Sequence, residues 1–319
     1  MLNTPMALRI VFMGTAELAC ASLMALHRAP GFEIAAVVTQ PDRPGGRHLQ
    51  LQPSAVKKTA LAENLPVLQP LRAREDAFAD ELRRLQPDLI VVAAYGQILP
   101  TTILDLPPHG CLNVHTSLLP KYRGASPIQS AIIHDESETG VTIMCMDAGL
   151  DTGPILTQRS TPIYADDNAE TLHDRLAQIG AELLVQTIPE YVAGKVQPRP
   201  QPTEGVSHAP KIQKQDGLLD WNLPARQLWN RIRAFTPWPG AFTHLPGAET
   251  SQLLKIWKAE VVDAVGQAGE ILKADKTGVV VACGNGALRI IELQLEGAKR
   301  LAVGDFLAGH PLRFHSKLC

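Results

Sequence analysis

The sequence lacks the features that mark a membrane protein or a disulfide-stabilised one. No apolar run approaches the roughly 20 residues that a membrane helix needs. The first residues, MLNTPMALRIVFMG, lack a basic stretch followed by a long apolar one, so we expect no secretory signal. The five cysteines are odd in number and scattered, without a CxxC pair, which argues against a disulfide framework and a structural zinc site. We therefore expect a cytoplasmic protein with reduced cysteines.

Motifs for nucleotide cofactors are missing as well. The segment FMGTAELA offers only Gly14 and no G-x-G-x-x-G, and no acidic residue after the second apolar run is placed to bind a ribose. No P-loop occurs anywhere in the chain. We interpret Gly14 as easing a tight strand-to-helix turn. A nicotinamide or ATP cofactor is therefore not expected, and no cluster of residues with metal-ligand spacing suggests a metal.

Length and charge favour two domains with different surfaces. A chain of 319 residues, 45% hydrophobic and 19% charged, is typical of a folded protein too long for one ordinary core. Residues 1–204 carry 16 Lys+Arg and 22 Asp+Glu, a net −6, whereas residues 205–319 carry 14 and 10, a net +4. This asymmetry is a weak indication of an anionic partner near the second half.

The first 193 residues alternate apolar runs with helical segments. The runs are LRIVFMG (8–14), EIAAVVTQ (33–40), DLIVVAAYG (88–96), CLNVH (111–115) and GVTIMCMD (140–147). Their near-continuous hydrophobicity is typical of parallel strands covered on both faces. The helical segments lie near residues 17–28, 54–65, 74–86 and 169–193. We therefore predict a doubly wound, mostly parallel α/β sheet in a catalytic domain over residues 1–193.

A proline-rich stretch separates this part from a second, smaller one. Residues 194–207, GKVQPRPQPTEGVS, are interpreted as an extended linker. A helix near residues 225–235 follows, and then five β-rich runs, GAFTHL, LLKIWKAEVV, GEILKAD, GVVVACG and ALRIIELQL. Asn285-Gly286, between the last two runs, is a hairpin signal. We predict an OB-like β-barrel domain over residues 208–319.

Polar residues with catalytic potential follow the fourth apolar run. Asn113 and His115, at positions i and i+2, project from the same side of a predicted strand at its carboxyl end, where open α/β sheets bind ligands. Burying each side chain unpaired would cost ~1–3 kcal/mol. Alternatively, the two side chains could serve only as hydrogen-bond partners for the backbone of a loop. The Ser-Leu-Leu-Pro turn that follows, and the later loop with Asp147 and Asp151, favour a site.

An Asn, a His and an Asp without a Ser or Cys nucleophile suit acyl transfer to an amine without a covalent intermediate. Asn113 and a protonated His115 can donate hydrogen bonds to the tetrahedral oxyanion, each worth ~3–4 kcal/mol. Asp151 can orient the imidazole and collect the amine proton. An α-amine needs little activation, because its pKa of ~7.7–8.0 leaves roughly a tenth of it neutral near pH 7.

The stretch LNVHTSLLPKYRGASPIQSAI followed by ETGVTIMCMDAGLDTGPIL resembles the signature of the folate-dependent formyltransferases. Similarity to the family extends along the chain through LRIVFMGTAELA, VVTQPDRPGGR, VVAAYGQILP and WNLPARQLWNRIRAFTPWPGAF. The resemblance implies 10-formyltetrahydrofolate as formyl donor and the α-amino group of initiator methionyl-tRNA as acceptor, a step of translation initiation. Without metal-ligand spacing or a long apolar run we expect no metal and no membrane, and we expect a monomer whose C-terminal domain contacts tRNA.

The resemblance assigns roles to individual residues. The catalytic trio is matched by Asn113, His115 and Asp151. The folate-contacting turn is matched by Ser117, Leu118, Leu119 and Pro120. Tyr95, Gly96 and the loop 146–150 are expected to wall the pterin pocket.

Two positions depart from the family pattern. The residue after the catalytic His is commonly Gly or Ala, and here it is Thr116, which can narrow the turn. The loop 41–58 resembles the family's inserted tRNA-binding loop but has Arg-His-Leu-Gln where Arg-Gly-Lys-Lys is common. Arg43 and Arg47 are therefore the candidates for contacting the acceptor stem.

Three alternatives use the same residues differently. A formyltransferase for an amino-sugar nucleotide would share the Asn/His/Asp chemistry and a similar two-domain body. Hydrolysis of formyltetrahydrofolate would need no acceptor site, and an RNA-binding protein built on the barrel would need no trio. The loop 41–58 and the positive second half favour tRNA as the acceptor.

Overall fold

The computed structural model describes residues 7–45, 50–245 and 252–319 of the chain. The helices are α1 (Leu18–Arg28), α2 (Ala55–Ala62), α3 (Asp76–Leu85), α4 (Thr101–Leu104), α5 (Pro127–Ile133), α6 (Ala169–Val192), α7 (Ala225–Ala234) and α8 (Val303–Gly309), with a 3-10 turn at Lys214–Gly217. The strands are β1 (Leu8–Gly14), β2 (Phe32–Val38), β3 (Arg43–Gly45), β4 (Gln50–Gln52), β5 (Val67–Leu68), β6 (Leu89–Ala93), β7 (Cys111–His115), β8 (Arg123–Gly124), β9 (Glu138–Cys145), β10 (Ile155–Pro162), β11 (His208–Ala209), β12 (Ala241–Leu245), β13 (Gln252–Val262), β14 (Ile271–Asp275), β15 (Gly278–Ala282), β16 (Ala287–Leu295) and β17 (Leu301–Ala302). None of the helices in these ranges combines the length and the apolar character that crossing a membrane requires.

Seven strands form the first sheet, in the order β10-β9-β7-β6-β1-β2-β5. The pairs β1–β2, β1–β6, β2–β5 and β6–β7 are parallel, which confirms the predicted mostly parallel sheet. The expectation that residues 140–147 form one more parallel strand is wrong, because β9 runs antiparallel to β7. A continuous apolar run reports burial on both faces of a sheet, and burial does not depend on strand direction.

Helices cover both faces of this sheet. Phe78 of α3 and Ile103 of α4 share one apolar cluster with Cys111 of β7. Three positions further along β7, Val114 points to the opposite face. There it meets α6, because a Cβ added at Gly180 would lie 2.9 Å from Val114 Cγ1. The helices therefore flank the sheet as a doubly wound arrangement requires.

Gly14 ends β1 at the point where α1 comes closest to the sheet. A Cβ at this position would lie 2.8 Å from the Ala19 Cβ, 2.9 Å from Phe12 Cε1 and 3.0 Å from the Ala93 carbonyl oxygen. Only a residue without a side chain fits between a strand and a helix at these distances. The glycine therefore serves close packing at the strand-to-helix turn, as its sequence context indicates.

The chain divides into two compact units, and both are discontinuous in sequence. The first contains the residues up to Gly124 together with Thr139–Thr161 and His173–His208. The second contains Ala125–Glu138, Pro162–Leu172 and Ala209–Cys319. The linear division into residues 1–193, 194–207 and 208–319 stays a prediction. No hydrophobic pattern in the sequence predicts that Ala125–Glu138 and Pro162–Leu172 belong to the second unit, because compactness depends on contacts between distant segments.

The second unit is built on antiparallel strands in the order β12-β13-β16-β15-β14, with β17 on β16. These strands lie at the five predicted β-rich runs. Ala282 of β15 pairs with Ala287 of β16 across the Asn285-Gly286 turn, so the predicted hairpin is confirmed. Gly286 has a φ of +73°, a conformation that glycine adopts without strain. The inner face packs around Leu228 and Ile232 of α7.

The C-terminal tail bonds to both edge strands of this second sheet. His244 of β12 and Cys319 exchange two backbone hydrogen bonds, of 2.7 and 3.1 Å. On the other edge, Ile271 of β14 donates to the Ser316 carbonyl at 2.9 Å. The strand pairings of the described residues do not themselves close into a ring. A domain of antiparallel strands is therefore confirmed, whereas a closed barrel is not found.

Helix α7 carries a stack of charged and aromatic side chains. Two guanidinium groups lie over the Trp229 ring, with Arg226 Cζ 4.5 Å and Arg233 Cζ 3.8 Å from its centroid. Arg226 binds both carboxylate oxygens of Asp135 at 2.8–3.1 Å, which lowers the pKa of that carboxyl. Burial lowers the pKa of Arg233 to about 10. The stack ties α7 to the segment that follows α5.

We predict that Asp135→Asn destabilises the protein mainly above pH 4. The folded-state pKa of Asp135 is depressed, so its stabilisation is present above the ordinary carboxyl pKa and is lost as the pH falls through the folded value. Because the pair is largely exposed, we expect at most about 1 kcal/mol at pH 7. Urea unfolding of the full chain at pH 7 and near pH 3 measures this difference. An equal difference at both values would contradict the ion-pair explanation.

Candidate active site

Strand β7 presents Asn113 and His115 at the carboxyl edge of the parallel strands. Asn113 lies opposite Met144 of β9, and His115 lies opposite Thr142. Two residues apart on one strand, their side chains point to the same face. Asn113 is half-buried and His115 is buried. The predicted placement of this pair is therefore confirmed by the geometry of the strand.

The Asp151 carboxylate is where the candidate trio meets. Its Oδ1 accepts a long hydrogen bond of 3.3 Å from Asn113 Nδ2. Its Oδ2 accepts one of 2.8 Å from the Gly124 backbone N–H and lies 3.7 Å from His115 Nδ1. The carboxylate is only 14% exposed and the imidazole 6%, so water screens their interaction little. The structure thus brings together three residues that the sequence separates by up to 38 positions.

A backbone carbonyl fixes the orientation of the His115 ring. The distance from Nε2 to the Tyr122 carbonyl oxygen is 2.9 Å. A carbonyl only accepts hydrogen bonds, so Nε2 carries a hydrogen. The other nitrogen, Nδ1, then faces Asp151 and can donate to a reacting oxygen when the ring is doubly protonated. The imidazole therefore has one nitrogen bonded to the backbone and one that faces the Asp151 carboxylate.

Two residues of the site adopt left-handed backbone conformations. Tyr122 has a φ of +62° and Asp151 a φ of +52°. For residues with a Cβ this conformation costs about 1–2 kcal/mol each. Such strain persists where surrounding contacts hold the residue in this conformation. Strained residues of this kind are common at functional sites. Both residues are held at 2.8–2.9 Å, one by its carbonyl on His115 and the other by its carboxylate on Gly124.

The predicted folate-contacting turn divides into buried and accessible residues. Ser117 is fully buried, and its hydroxyl donates to the Lys121 carbonyl at 2.6 Å. Leu119 is 3% exposed and packs against Met144 and Ile155. Leu118 and Pro120 are half-buried and present apolar surface. The first pair therefore shapes the turn, whereas the second pair could touch a flat ligand; the folate role of all four stays a prediction.

Thr142 anchors this turn from the neighbouring strand. Its hydroxyl donates to the Ser117 carbonyl at 2.6 Å and accepts from the Leu119 N–H at 3.1 Å. Gln158 Nε2 adds a third hydrogen bond of 2.9 Å to the same hydroxyl. Thr116, the departure from the family pattern, is also buried. The turn is thus held by fully satisfied interior hydrogen bonds, which makes it a rigid wall.

Tyr95 and Met146, two of the residues expected near the pterin, lie in one apolar cluster. The Tyr95 side chain is 2% exposed, and burial raises the pKa of its hydroxyl to about 12. Its carbonyl accepts hydrogen bonds of 2.8 Å from both Thr15 Oγ1 and Gln40 Nε2. The ends of β1, β2 and β6 are therefore tied together beside β7. The role of these residues in pterin binding stays a prediction.

The loop 41–58 forms a small hairpin of β3 and β4, with Arg43 opposite Gln52. The Arg43 guanidinium bonds to Gln40, the residue that also binds the Tyr95 carbonyl. The hairpin therefore emerges at the carboxyl edge of the sheet, as expected. Arg47 lies outside the described residues. The tRNA-binding role of both arginines stays a prediction.

Two other features of the first unit are given no part in the candidate trio. Asp147, the second acid of the loop, is exposed and accepts from Thr152 Oγ1 at 2.7 Å, so it holds the loop together. A surface depression of about 860 Å³ lies between α1, α2 and α6. No member of the trio lines it, so we assign it no role in the reaction.

No group of three or more His, Cys, Asp or Glu side chains arranged to hold a metal ion occurs within residues 7–45, 50–245 and 252–319. The five cysteines are free thiols. Burial raises the pKa of Cys111 to about 12 and that of Cys283 to about 11. The Cys111 and Cys283 thiols are therefore less acidic than a free cysteine.

Comparison with known proteins identifies the family. Residues 8–188 match the formyl transferase family, and residues 211–311 match the C-terminal domain of formyl transferases. The chain belongs to the formyl transferase family. It is 50% identical over 311 residues to the methionyl-tRNA formyltransferase of Geobacter sulfurreducens, covering 98% of this chain and 96% of that protein. It is 49% identical over 304 residues to the methionyl-tRNA formyltransferase of Myxococcus xanthus, covering 95% and 96%.

Solved structures share the fold at much lower sequence identity. The N-formyltransferase from Helicobacter canadensis, in complex with folinic acid and dTDP-3-aminofucose, has a TM-score of 0.65 at 19% identity, covering 92% of this chain and 100% of that one. HypX from Aquifex aeolicus, in complex with tetrahydrofolic acid, has a TM-score of 0.61 at 16% identity, covering 98% and 50%. The fold is therefore shared where most side chains differ.

Sequence reasoning missed several residues that hold the trio in place. Tyr122 and Gly124 act through backbone atoms, which no side-chain pattern reveals. Thr142 was hidden inside an apolar strand, where a lone threonine is unremarkable. Gln201 lay in the predicted linker, yet its amide bonds to the carbonyls of Asp151 and Gly153 at 2.8 Å. Proline-rich composition signals extended backbone and carries no information about what that backbone touches.

We predict that Gly153→Ala displaces the loop that carries Asp151. A Cβ at this position would lie 1.9 Å from the Cys145 carbonyl oxygen, and backbone atoms cannot move aside cheaply. The substitution should lower the midpoint of thermal unfolding by several degrees. Gly309→Ala is the matched control, because nothing lies within 4 Å of a Cβ there. Equal melting of the two variants would mean that the loop is not packed as described.

Proposed function

We propose that this chain transfers a formyl group from 10-formyltetrahydrofolate to the α-amino group of initiator methionyl-tRNA. The observation that carries the proposal is the convergence of Asn113, His115 and Asp151 on one point, in a chain half-identical to methionyl-tRNA formyltransferases over nearly its whole length. Amide, imidazole and carboxylate without an activated thiol or serine suit direct attack by an amine.

In the proposed mechanism, Asn113 and His115 stabilise the oxyanion that develops on the formyl oxygen. The Asn113 amide has two N–H donors, and the long bond to Asp151 uses one of them. His115 Nε2 is committed to the Tyr122 carbonyl, so Nδ1 is the ring nitrogen that can donate to the oxyanion. Donors already in position act without reorganisation, and each is worth ~3–4 kcal/mol.

Asp151 completes the proposed mechanism by handling the proton. The amine nitrogen forms a bond to the formyl carbon, and the bond from that carbon to the folate nitrogen breaks. The amine loses one proton, and the departing nitrogen gains one. Asp151, held beside both donors, accepts the proton and passes it on, directly or through one water. Its carboxylate also balances the charge of the doubly protonated His115 at 3.7 Å.

The folate side of the proposal uses the apolar residues around the trio. Leu118 and Pro120 offer the accessible surface of the turn, and Tyr95 with Met146 forms an apolar cluster at the neighbouring strand end. A flat pterin needs such apolar walls with a few backbone hydrogen-bonding groups. Ser117, Leu119 and the Thr142 anchor would keep that wall rigid.

An acceptor screen tests the proposed function. Purified protein is given 10-formyltetrahydrofolate and either initiator methionyl-tRNA or a panel of amino-sugar nucleotides, and the formylated products are measured. We expect rapid formylation of methionyl-tRNA only. Preferential formylation of an amino sugar would overturn the tRNA assignment, and release of formate without an acceptor would indicate a hydrolase.

We predict that Asn113→Ala and His115→Ala each lower kcat by ~10²–10³, because their donors act mainly on the developing oxyanion. KM for methionyl-tRNA should change little. Steady-state formylation kinetics measure both parameters, and Asn222→Ala, which removes an exposed amide, serves as control. A rise in KM at unchanged kcat would assign these residues to ground-state binding instead.

The hairpin of β3 and β4 is our proposed contact for the acceptor stem. It emerges at the carboxyl edge of the sheet, where Gln40 links Arg43 to the Tyr95 carbonyl. Arg43 is exposed, and arginine can bind both phosphates and base edges. Arg47, four residues further on, would supply a second guanidinium. The net +4 of residues 205–319 is consistent with additional contacts to the tRNA backbone.

We predict that Arg47→Ala strongly impairs formylation of methionyl-tRNA and leaves the affinity for 10-formyltetrahydrofolate intact. Arg43→Ala should have the same effect, and binding of tRNA to the wild type should weaken steeply with salt because counterions are released. Kinetics and folate titrations measure the variants, with Arg84→Ala, an exposed arginine of α3, as control. Formylation by Arg47→Ala at the wild-type rate would place tRNA recognition elsewhere.

We extend the proposal to the organisation of the protein. Residues 1–193 would act as the catalytic domain, and residues 208–319 would form an OB-like domain that contacts tRNA. The five antiparallel strands and the tail on both edges support that arrangement. We further propose a monomer that works in the cytoplasm, where its acceptor takes part in translation; sedimentation of the full chain tests the monomer.

A further inference from the structure

The segment predicted as a free linker is fastened to both loops of the site. Arg199 and Ile155 exchange two backbone hydrogen bonds, of 2.8 and 2.9 Å. Eight residues later, Ser207 Oγ accepts from the Tyr122 N–H at 2.9 Å, and the Ser207 carbonyl accepts from the Arg123 N–H at 2.9 Å. The stretch between these fastenings therefore runs beside the loops that carry Asp151 and the Tyr122 carbonyl.

Gln201 lies within this stretch and binds both loops with its side-chain amide. Its Nε2 donates to the carbonyls of Asp151 and Gly153, each at 2.8 Å. Its Oε1 accepts from the Arg123 guanidinium, at 2.7 Å from Nη2 and 3.1 Å from Nε. Carbonyls only accept and a guanidinium only donates, so these partners also decide which way the amide is turned. Both donors and the acceptor of the amide are in use.

The two bonded loops are the ones that hold the reacting groups. Arg123 stands between Tyr122, whose carbonyl orients His115, and Gly124, whose N–H holds the Asp151 carboxylate. The Gln201 amide therefore binds the main-chain carbonyl of Asp151, while the Gly124 N–H binds the Asp151 carboxylate. Asp151 has a left-handed φ of +52°, which external bonds must maintain.

We propose that Gln201 is a positioning residue for the transfer reaction, which sets the Asp151 carboxylate relative to Asn113 and His115 by joining the two loops. The proposal rests on the proposed function. Gln201 is half-buried and touches none of the trio's reacting atoms, so it acts through Asp151. Small displacements of a catalytic group cost large factors in rate, since up to 10²-fold is lost for about 1 Å.

The test compares two variants of Gln201 with a matched control. Gln201→Ala removes the whole bridge, whereas Gln201→Glu keeps an oxygen for Arg123 and removes the two N–H donors. Gln197→Ala is the control, because its amide lies in the same segment and donates to the Gly194 carbonyl at 2.8 Å. We expect both Gln201 variants to lose roughly 10–100-fold in kcat with KM for both substrates nearly unchanged. Gln197→Ala should match the wild type.

A double-mutant cycle separates positioning from general destabilisation. If Gln201 acts through Asp151, then Gln201→Ala should cost much less in an Asp151→Asn background than in the wild type. An equal cost in both backgrounds, or Gln201 variants as active as Gln197→Ala, would overturn the proposal. If Gln201→Ala fails to fold, Gln201→Glu supplies the same cycle.

The wild type is measured first, so that a failure of the proposed function can be distinguished from a failure of the positioning role of Gln201. Failure of wild-type protein to formylate methionyl-tRNA overturns the proposed function alone, and the cycle is then run with the acceptor that the screen identifies. Normal wild-type activity with unaffected Gln201 variants overturns only the positioning role.

Discussion

The candidate site depends on the Asp151 carboxylate being held by two hydrogen-bond donors, one on strand β7 and one at Gly124, beside the His115 ring. Asn113 Nδ2 and the Gly124 N–H bind its two oxygens at 3.3 and 2.8 Å, and His115 Nδ1 lies 3.7 Å away. A carboxylate with so little exposure must be compensated by such partners. Moving any one segment would leave a buried charge without its partner, so the loops and β7 are constrained as a group.

The sheet topology explains why these segments meet. Parallel strands bring their carboxyl ends to one edge, and β7 is the last of the parallel strands before β9 reverses direction. The loop after β9 therefore crosses back near β7 and delivers Asp151 beside Asn113. Solved structures that are only 16–19% identical to this chain share its fold. The fold supplies positions, while the chemistry depends on the few polar groups placed there.

The sequence predicted those parts of the molecule that local pattern controls. Alternation on β7 placed Asn113 and His115 on one face, and the Asn285-Gly286 turn located a hairpin, because both depend on neighbouring residues. The reversed direction of β9, the discontinuous units and the tail on both edges of the second sheet depend on distant contacts and were not predicted. The same holds within the site, where the orientation of His115 is set by a carbonyl, a group that every residue has. Arg47 lies outside the described residues, so its role still rests on resemblance.

The treatment of residues 194–207 shows most clearly where sequence reasoning ends. Residues 194–207 contain three prolines, and they belong to none of the named helices or strands. Backbone of that kind has unused N–H and C=O groups, and it is therefore free to bond to other irregular segments. The loops of Tyr122 and Asp151 are irregular too, and both carry strained residues that need outside partners. The Gln201 side-chain amide binds both loops, so the irregular segment 194–207 stabilises the loops that carry Tyr122 and Asp151.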